Sequence, residues 1–248
     1  MPHQQKDNFS VQSASYAAFR PHYPQALYDF LFALPGAKQT AWDCGTGNGQ
    51  VAAVLAEKYK HVYATDISEA QLQKATPKPN ISYYKASAEA SGLANQSIDL
   101  ITVAQAIHWF DFDAFHQEVK RVAKTGTHLA IWGYGLISIS KEINPAIAHF
   151  YQHVTGPYWD PERSHLDEAY RTIPFPYPEI TCPDFEIKVT WNRQQLMGYL
   201  SSWSSVQHYI KKNGSSPLPK LESKLRQLWP DGLSIEVTFP VFMRLGVV

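Results

Sequence analysis

The strongest chemical signal in the chain is the stretch Thr40-Ala41-Trp42-Asp43-Cys44-Gly45-Thr46-Gly47-Asn48-Gly49. A short apolar run ends in an acid, and glycines follow at alternate positions. Glycine has no Cβ and accepts positive φ, so a turn built this way lets a ligand lie against the main chain. The dinucleotide pattern G-x-G-x-x-G asks for glycine or alanine at position 50, where this chain has Gln50. Asp43 would repel a pyrophosphate in a confined site and suits a cationic ligand, such as the amino-acid end of a sulfonium compound.

A second acid extends the pattern. Tyr59 to Asp66 reads as a strand ending in Asp66, at roughly the twenty-residue offset where a carboxylate meets a pair of ribose hydroxyls. A carboxylate accepting from two adjacent hydroxyls makes strong, geometrically fixed hydrogen bonds. The ordered set Asp43, Gly45, Gly47, Gly49 and Asp66 resembles the class I S-adenosylmethionine-dependent methyltransferases. That resemblance implies an α/β, Rossmann-like fold: a mostly parallel seven-stranded sheet, helices on both faces and a helical cap inserted after strand five. It implies S-adenosyl-L-methionine as cofactor and S-adenosyl-L-homocysteine as product. Asp43, Gly45, Thr46 and Gly47 would bind from the glycine turn, Asp66 and Ile67 from the end of the second strand. Ala88 and Glu89, after the third strand, would meet the adenine, and Gln105 would lie near the adenine or the methyl end.

The elements that must position these residues follow in order. Phe19-Arg20-Pro21-His22-Tyr23-Pro24 reads as a rigid turn, because prolines this close favour extended backbone. Gln25 to Ala33 reads as an amphipathic helix stopped by Pro35-Gly36, and Gln50 to Lys58 as the helix behind the glycine turn. Ser68 to Thr76 reads as a further helix with Ser68 at its N-cap, and Ile81 to Lys85 as the third strand. Ile98 to Val103 is near-continuous in apolar residues, as a central parallel strand should be. Its carboxyl end delivers Ala104 to Asp111, and ligands of open α/β sheets bind outside such ends. A helix over Asp113 to Lys124 and a fifth strand over His128 to Trp132 come next. From about residue 136 to 181 the βα alternation stops, which marks the cap within one methyltransferase domain. A strand over Phe185 to Trp191, helices over Gln194 to Ile210 and Leu218 to Leu228, and a last strand over Ile235 to Val247 complete the chain.

Tyr16…Phe19-Arg20-Pro21…Tyr23-Pro24, Ala104-Gln105-Ala106-Ile107-His108-Trp109-Phe110 and the run Tyr199 to Ser205 are similar to the trans-aconitate methyltransferases and their small-molecule relatives. By that resemblance Tyr16 and Arg20 lie near the cofactor carboxylate, and the helix around Trp203 helps to close the substrate pocket. His108 stands at a strand end and titrates near neutrality, so it is the candidate general base, with a pocket-wall role as its alternative. Trp109, Trp132, Tyr134, Trp159 and Trp203 are candidates for an aromatic substrate wall. Arg163 and Arg171 lie in the cap, where a carboxylate substrate would want a bidentate partner. His149 and His153 stand four apart, but no third ligand accompanies them, so no metal is expected.

Composition narrows the rest. Lysine plus arginine balance aspartate plus glutamate at 22 each, which leaves no footprint for tracking nucleic-acid phosphates. Cys44 and Cys182 do not make a disulfide framework. No leader pattern and no run of about eighteen apolar residues stands out, so no membrane partner is expected and a cytoplasmic monomer or homodimer is. The favoured function is methyl transfer to a small molecule, with carboxyl O-methylation of an acid such as trans-aconitate in view. A non-catalytic cofactor-binding protein, a dehydrogenase and methylation at carbon or nitrogen stay open from the residues alone.

Overall fold

In the computed structural model, which describes residues 21–248, the glycine turn sits at the middle of an eight-stranded sheet. Strand β1 (Thr40–Cys44) lies between β2 (His61–Asp66) and β4 (Ile98–Ala104). With β3 (Ile81–Lys85) and β5 (Ala123–Tyr134), these strands run parallel in the order β3-β2-β1-β4-β5. Chain order reverses at β1, so the crevice between the carboxyl ends of β1 and β4 is the topological switch point.

The far edge is antiparallel. The long strand β8 (Ser234–Val247) pairs with β5 on one side and with both β6 (Glu179–Ile180) and β7 (Phe185–Asn192) on the other. β6 and β7 lie end to end along that edge, interrupted around Pro183, which has no N–H to give a ladder. The expected seven-stranded sheet and the observed eight are therefore one architecture, with the edge strand broken in two.

Period-two alternation sends side chains to two separate cores. Ala41, Leu100, Ala130 and Trp132 face α1 (Gln25–Ala33) and α2 (Gln50–Leu55) on one side. The late helices α7 (Arg193–Ser201), α8 (Ser204–Asn213) and α9 (Leu218–Leu228) join that same core through Leu200, Val206 and Leu225. Trp42, Ile101, Val103, Leu129 and Ile131 face α4 (Phe112–Val122) and the segment from Leu166 to Tyr177 on the other. Both faces are covered, which is why β4 and β5 read as apolar runs rather than alternations.

Three local expectations are corrected. The helix after Asp66 is a single turn, α3 (Glu69–Leu72), and its entry is held by Asp66 Oδ1 accepting from Ser68 N–H at 2.8 Å rather than by a Ser68 side-chain cap. The helix expected over Gln194 to Ile210 breaks at Ser202-Trp203. Ser201 and Ser202 turn their hydroxyls back onto the carbonyls of Gly198 and Tyr199, and Trp203 takes extended backbone before α8 begins. Residues 136–181 hold short elements: α5 (Asn144–His149) running into a π-turn (Phe150–Val154), two 3-10 turns, then α6 (Ser164–Asp167).

Candidate active site

The glycine turn takes the shape its sequence demands. Gly45, Gly47 and Gly49 have φ of 68°, 56° and 79°. A Cβ on Gly45 would stand 2.6 Å from the Ala106 Cβ, so the turn can approach the β4 exit only as glycine. A Cβ on Gly47 would meet nothing within 4 Å, because Gly47 faces open space.

Two carboxylates build this turn. Asp43 is buried and fully engaged: Oδ2 accepts from Thr46 Oγ1 at 2.5 Å and from Ala52 N–H at 3.1 Å, and Oδ1 accepts from Thr102 Oγ1 at 2.8 Å. Burial lifts its pKa to about 6, and the nearby Asp66 charge adds to the rise while the three hydrogen bonds oppose it. Asp43 thus clamps the turn to α2 and β4. Asp66 closes the other side, its Oδ2 accepting from Gly47 N–H at 2.8 Å.

These groups open onto a cavity of ≈ 170 Å³ across the carboxyl ends of β1, β2 and β4. Of the residues singled out from the sequence, Asp43, Gly45, Thr46, Gly47, Asp66, Ile67, Ala88, Gln105, Trp109 and Tyr134 line it. Ala88 is carried on a loop tied down by Glu118, which accepts from Ser91 N–H at 2.8 Å while Arg121 donates to Glu118 and to the Leu93 carbonyl at 2.7 Å. Gln105 leaves β4 with a φ of 55°, a left-handed conformation rare for a non-glycine side chain. Among the described residues its buried Oε1 has no hydrogen-bond donor.

A smaller cavity of ≈ 40 Å³ adjoins the first through Gln105 and Trp109. His108, Trp159, Trp203, Tyr199, Asp160 and Arg163 line it. His108 sits on the 3-10 turn Ile107–Trp109, buried, with Nδ1 3.0 Å from the Tyr170 hydroxyl. Burial, with the charges of Arg163 and His165 adding to it, holds its pKa well below the usual histidine value. Tyr170 itself is fully buried and follows Ala169 in a left-handed pair, with φ of 50° and 60°.

Several sequence expectations fall elsewhere. Trp132 is a core residue of β5, fully buried and edge-on to Tyr23 at 5.6 Å, and it lines neither cavity. Glu89 also lines neither; Oε1 accepts from Asp111 N–H at 3.0 Å at the start of α4. Arg171 is exposed beside Glu168. The rings of His149 and His153 lie 5.1 Å apart and tilted by 42°, and no cluster of three metal-ligating side chains occurs among the described residues. Tyr16 and Arg20 lie outside the described residues. Conversely Tyr23, Gln71, Ala86 and Phe110 line the main cavity without having been singled out. Ala86 and Phe110 follow strand ends, a signal that was available; Gln71 and Asp160 arrive through tertiary packing alone.

A nucleotide-like cationic ligand fits this arrangement: glycine backbone exposed to the cavity, an acid at the end of β2, and a second, aromatic cavity alongside. Comparison with known proteins specifies it. The methyltransferase-domain family matches residues 42–131, from β1 to β5. A Dictyostelium discoideum protein named as a methyltransferase is 34% identical over 248 residues, spanning 97% of this chain and 94% of that protein. A solved structure from Anaeromyxobacter dehalogenans, titled as a type II methyltransferase, superposes with a TM-score of 0.86 at 39% identity, covering 92% of this chain and 98% of that one. The Saccharomyces cerevisiae protein CRG1, named as an S-adenosylmethionine-dependent methyltransferase, is 29% identical over 143 residues, 54% of this chain and 49% of its own length. The chain belongs to the class I S-adenosylmethionine-dependent methyltransferases. Its cofactor is S-adenosylmethionine.

Proposed function

We propose that this enzyme methylates a small molecule, and that the acceptor atom is a carboxylate oxygen, as it would be in trans-aconitate. The observation that carries the reading is the junction at Gln105 and Trp109. A compact acceptor in the smaller cavity meets a cofactor in the larger one at those two residues.

When bound, S-adenosylmethionine supplies an electrophilic methyl group on a sulfonium sulfur. The chain's tasks are then to bind, align and keep water out. Asp66 and the Gly47 backbone would hold the cofactor's ribose side, Ala86 and Ala88 the adenine, and Gln105 the methyl end, with Asp43 keeping the turn in place. Trp109, Trp203 and Trp159 would wall the acceptor off from solvent. Transfer to a carboxylate oxygen would release no proton, so the chain would need no general base at the acceptor.

The state of His108 favours an acceptor of this kind. With its pKa held well below the usual value and one ring nitrogen committed to Tyr170, it is a weak base for a hydroxyl or ammonium acceptor. A carboxylate is ionised already and needs none. We therefore assign His108 to the pocket wall. With this reading go a cap over residues 136–181, a small-molecule substrate rather than nucleic acid, a cytoplasmic setting and a monomeric or homodimeric enzyme. No described helix is long and apolar enough to cross a membrane.

The test is methyl-labelled S-adenosylmethionine with a panel of small acids, phenols and amines. A product that releases labelled methanol in alkali supports a carboxyl ester. An alkali-stable product on a phenol or amine overturns it.

A further inference from the structure

Arg163 lines the smaller cavity with part of its guanidinium unengaged among the described residues. It stands at the end of the 3-10 turn Pro161–Arg163, and its side chain is 22% exposed. Its guanidinium lies over the Trp159 ring at 4.7 Å and the Tyr151 ring at 5.6 Å. Nε donates to the Tyr151 hydroxyl at 3.1 Å and stands 3.9 Å from Asp167 Oδ1. The Tyr151 hydroxyl in turn donates to that same Asp167 oxygen at 2.5 Å. The π-turn sets this geometry, because Thr155 N–H bonds to the Phe150 carbonyl five residues back and turns Tyr151 toward Arg163. The back of the guanidinium is therefore fixed by an aromatic and a carboxylate neighbour. Among the described residues, its two terminal nitrogens donate no hydrogen bond and meet no carboxylate. A guanidinium held by its Nε and stacked on aromatic rings presents its remaining fork in one orientation, which is the geometry that binds a planar anion with two parallel bonds.

Position decides which part of the acceptor meets that fork. Arg163 lines the smaller cavity and not the larger one. A carboxylate bonded through both oxygens to a guanidinium is also a poor nucleophile, because the charge that would attack is already stabilised. Resting on the acceptor reading above, we propose that Arg163 anchors a second, non-reacting acidic group of the acceptor, so that the preferred substrates carry at least two. The reacting carboxylate then lies toward Gln105 and Trp109. Asp160 lines the same cavity and is 13% exposed, 3.9 Å from His208 Nδ1. Arg163 is thus a specificity residue for the acceptor and takes no part in cofactor binding.

The experiment is calorimetric titration of trans-aconitate, and of its uncharged trimethyl ester, into protein saturated with S-adenosylhomocysteine. Wild type is compared with Arg163→Gln and Arg163→Lys. The acid should bind wild type, lose roughly 10- to 100-fold in affinity in Arg163→Gln, and bind Arg163→Lys at an intermediate level, since lysine keeps the charge without the fork. The ester should bind none of them appreciably. Unchanged S-adenosylhomocysteine affinity across the three proteins shows that each is folded. Equal affinity of the acid for wild type and Arg163→Gln would overturn the anchor. If alkali-labile ester still formed on the acid, the carboxylate-acceptor reading would survive that loss. No binding of the acid to cofactor-loaded wild type would overturn the anchor too, and the absence of any ester would take the acceptor reading with it.

Discussion

Asp66 Oδ2 accepts the Gly47 N–H at 2.8 Å, which ties the end of β2 to the glycine turn that leaves β1. Its other oxygen accepts from Ser68 N–H at 2.8 Å. One carboxylate therefore sets the shape of the turn and the entry of the next helix, while still lining the larger cavity. Hydrogen bonds to a charged acceptor contribute about 1.5–3 kcal/mol each. Asp66→Ala should weaken S-adenosylhomocysteine binding by roughly 100-fold or more, and losing the Gly47 and Ser68 bonds should lower the melting temperature by several degrees. An unchanged dissociation constant would remove Asp66 from the cofactor site.

Gly47 and Gly45 separate affinity from stability. Gly47→Ala adds a Cβ where nothing stands within 4 Å, so its folding cost is the left-handed backbone alone, about 1–2 kcal/mol. The same Cβ would occupy the cavity, so cofactor affinity should drop by roughly tenfold or more. Gly45→Ala drives its Cβ onto Ala106 at 2.6 Å and should cost about 1–3 kcal/mol more in denaturant midpoints. Equal stability losses with equal affinity losses would contradict this division.

Asp43 predicts a pH signature. Its pKa in the fold is about 6, against 3.8 for an ordinary aspartate. The folded state therefore binds the proton more tightly. The stabilisation from this residue is fully present below pH 3.8, falls as pH rises, and is gone above about 6. The span is on the order of 3 kcal/mol at 1.36 kcal/mol per unit. Asp43→Asn should show a flatter dependence of unfolding free energy between pH 4 and 6 than wild type. Parallel curves would show that Asp43 is not the group that titrates.

His108 predicts the opposite. Its pKa is depressed, so it stays neutral through the physiological range and protonates only in acid. The stability it contributes is held above the ordinary histidine pKa and lost as pH falls through the folded value. No ionisation near pH 6.5 in kcat/KM should disappear in His108→Gln, and kcat on an acid acceptor should stay within about tenfold of wild type. A loss of several hundredfold with unchanged cofactor affinity would restore it as the base.

The legible part of this protein is local in sequence. Asp43, Gly45, Gly47 and Asp66 meet at one cavity because turn, strand and acid follow one another within a short span, and the strand ends that carry Ala88 and Gln105 follow from the same βα rhythm. Trp132 belongs to the core instead of a cavity wall, because aromatic composition at a strand end does not say which face it takes, and both faces of this sheet are covered. Glu89 stands one residue beyond Ala88, yet its carboxylate turns away to the start of α4. Trp159 and Asp167 stand four residues either side of Arg163, yet the sequence does not reveal that they and Tyr151 fix its back. That arrangement depends on a π-turn and a succession of short 3-10 turns, which hydrophobic periodicity does not encode. The break at Ser202 was equally hidden, because serine is tolerated inside helices until its hydroxyl turns back to the main chain.

We propose that the cavity at the carboxyl ends of β1, β2 and β4 holds S-adenosylmethionine on the glycine turn and Asp66. Calorimetric titration with S-adenosylhomocysteine, with NAD as control, tests it most directly in wild type and Asp66→Ala. Saturable binding of S-adenosylhomocysteine to wild type, a marked loss in Asp66→Ala and no binding of NAD are the expected results. Tight binding of NAD, or S-adenosylhomocysteine binding that ignores Asp66, would contradict it.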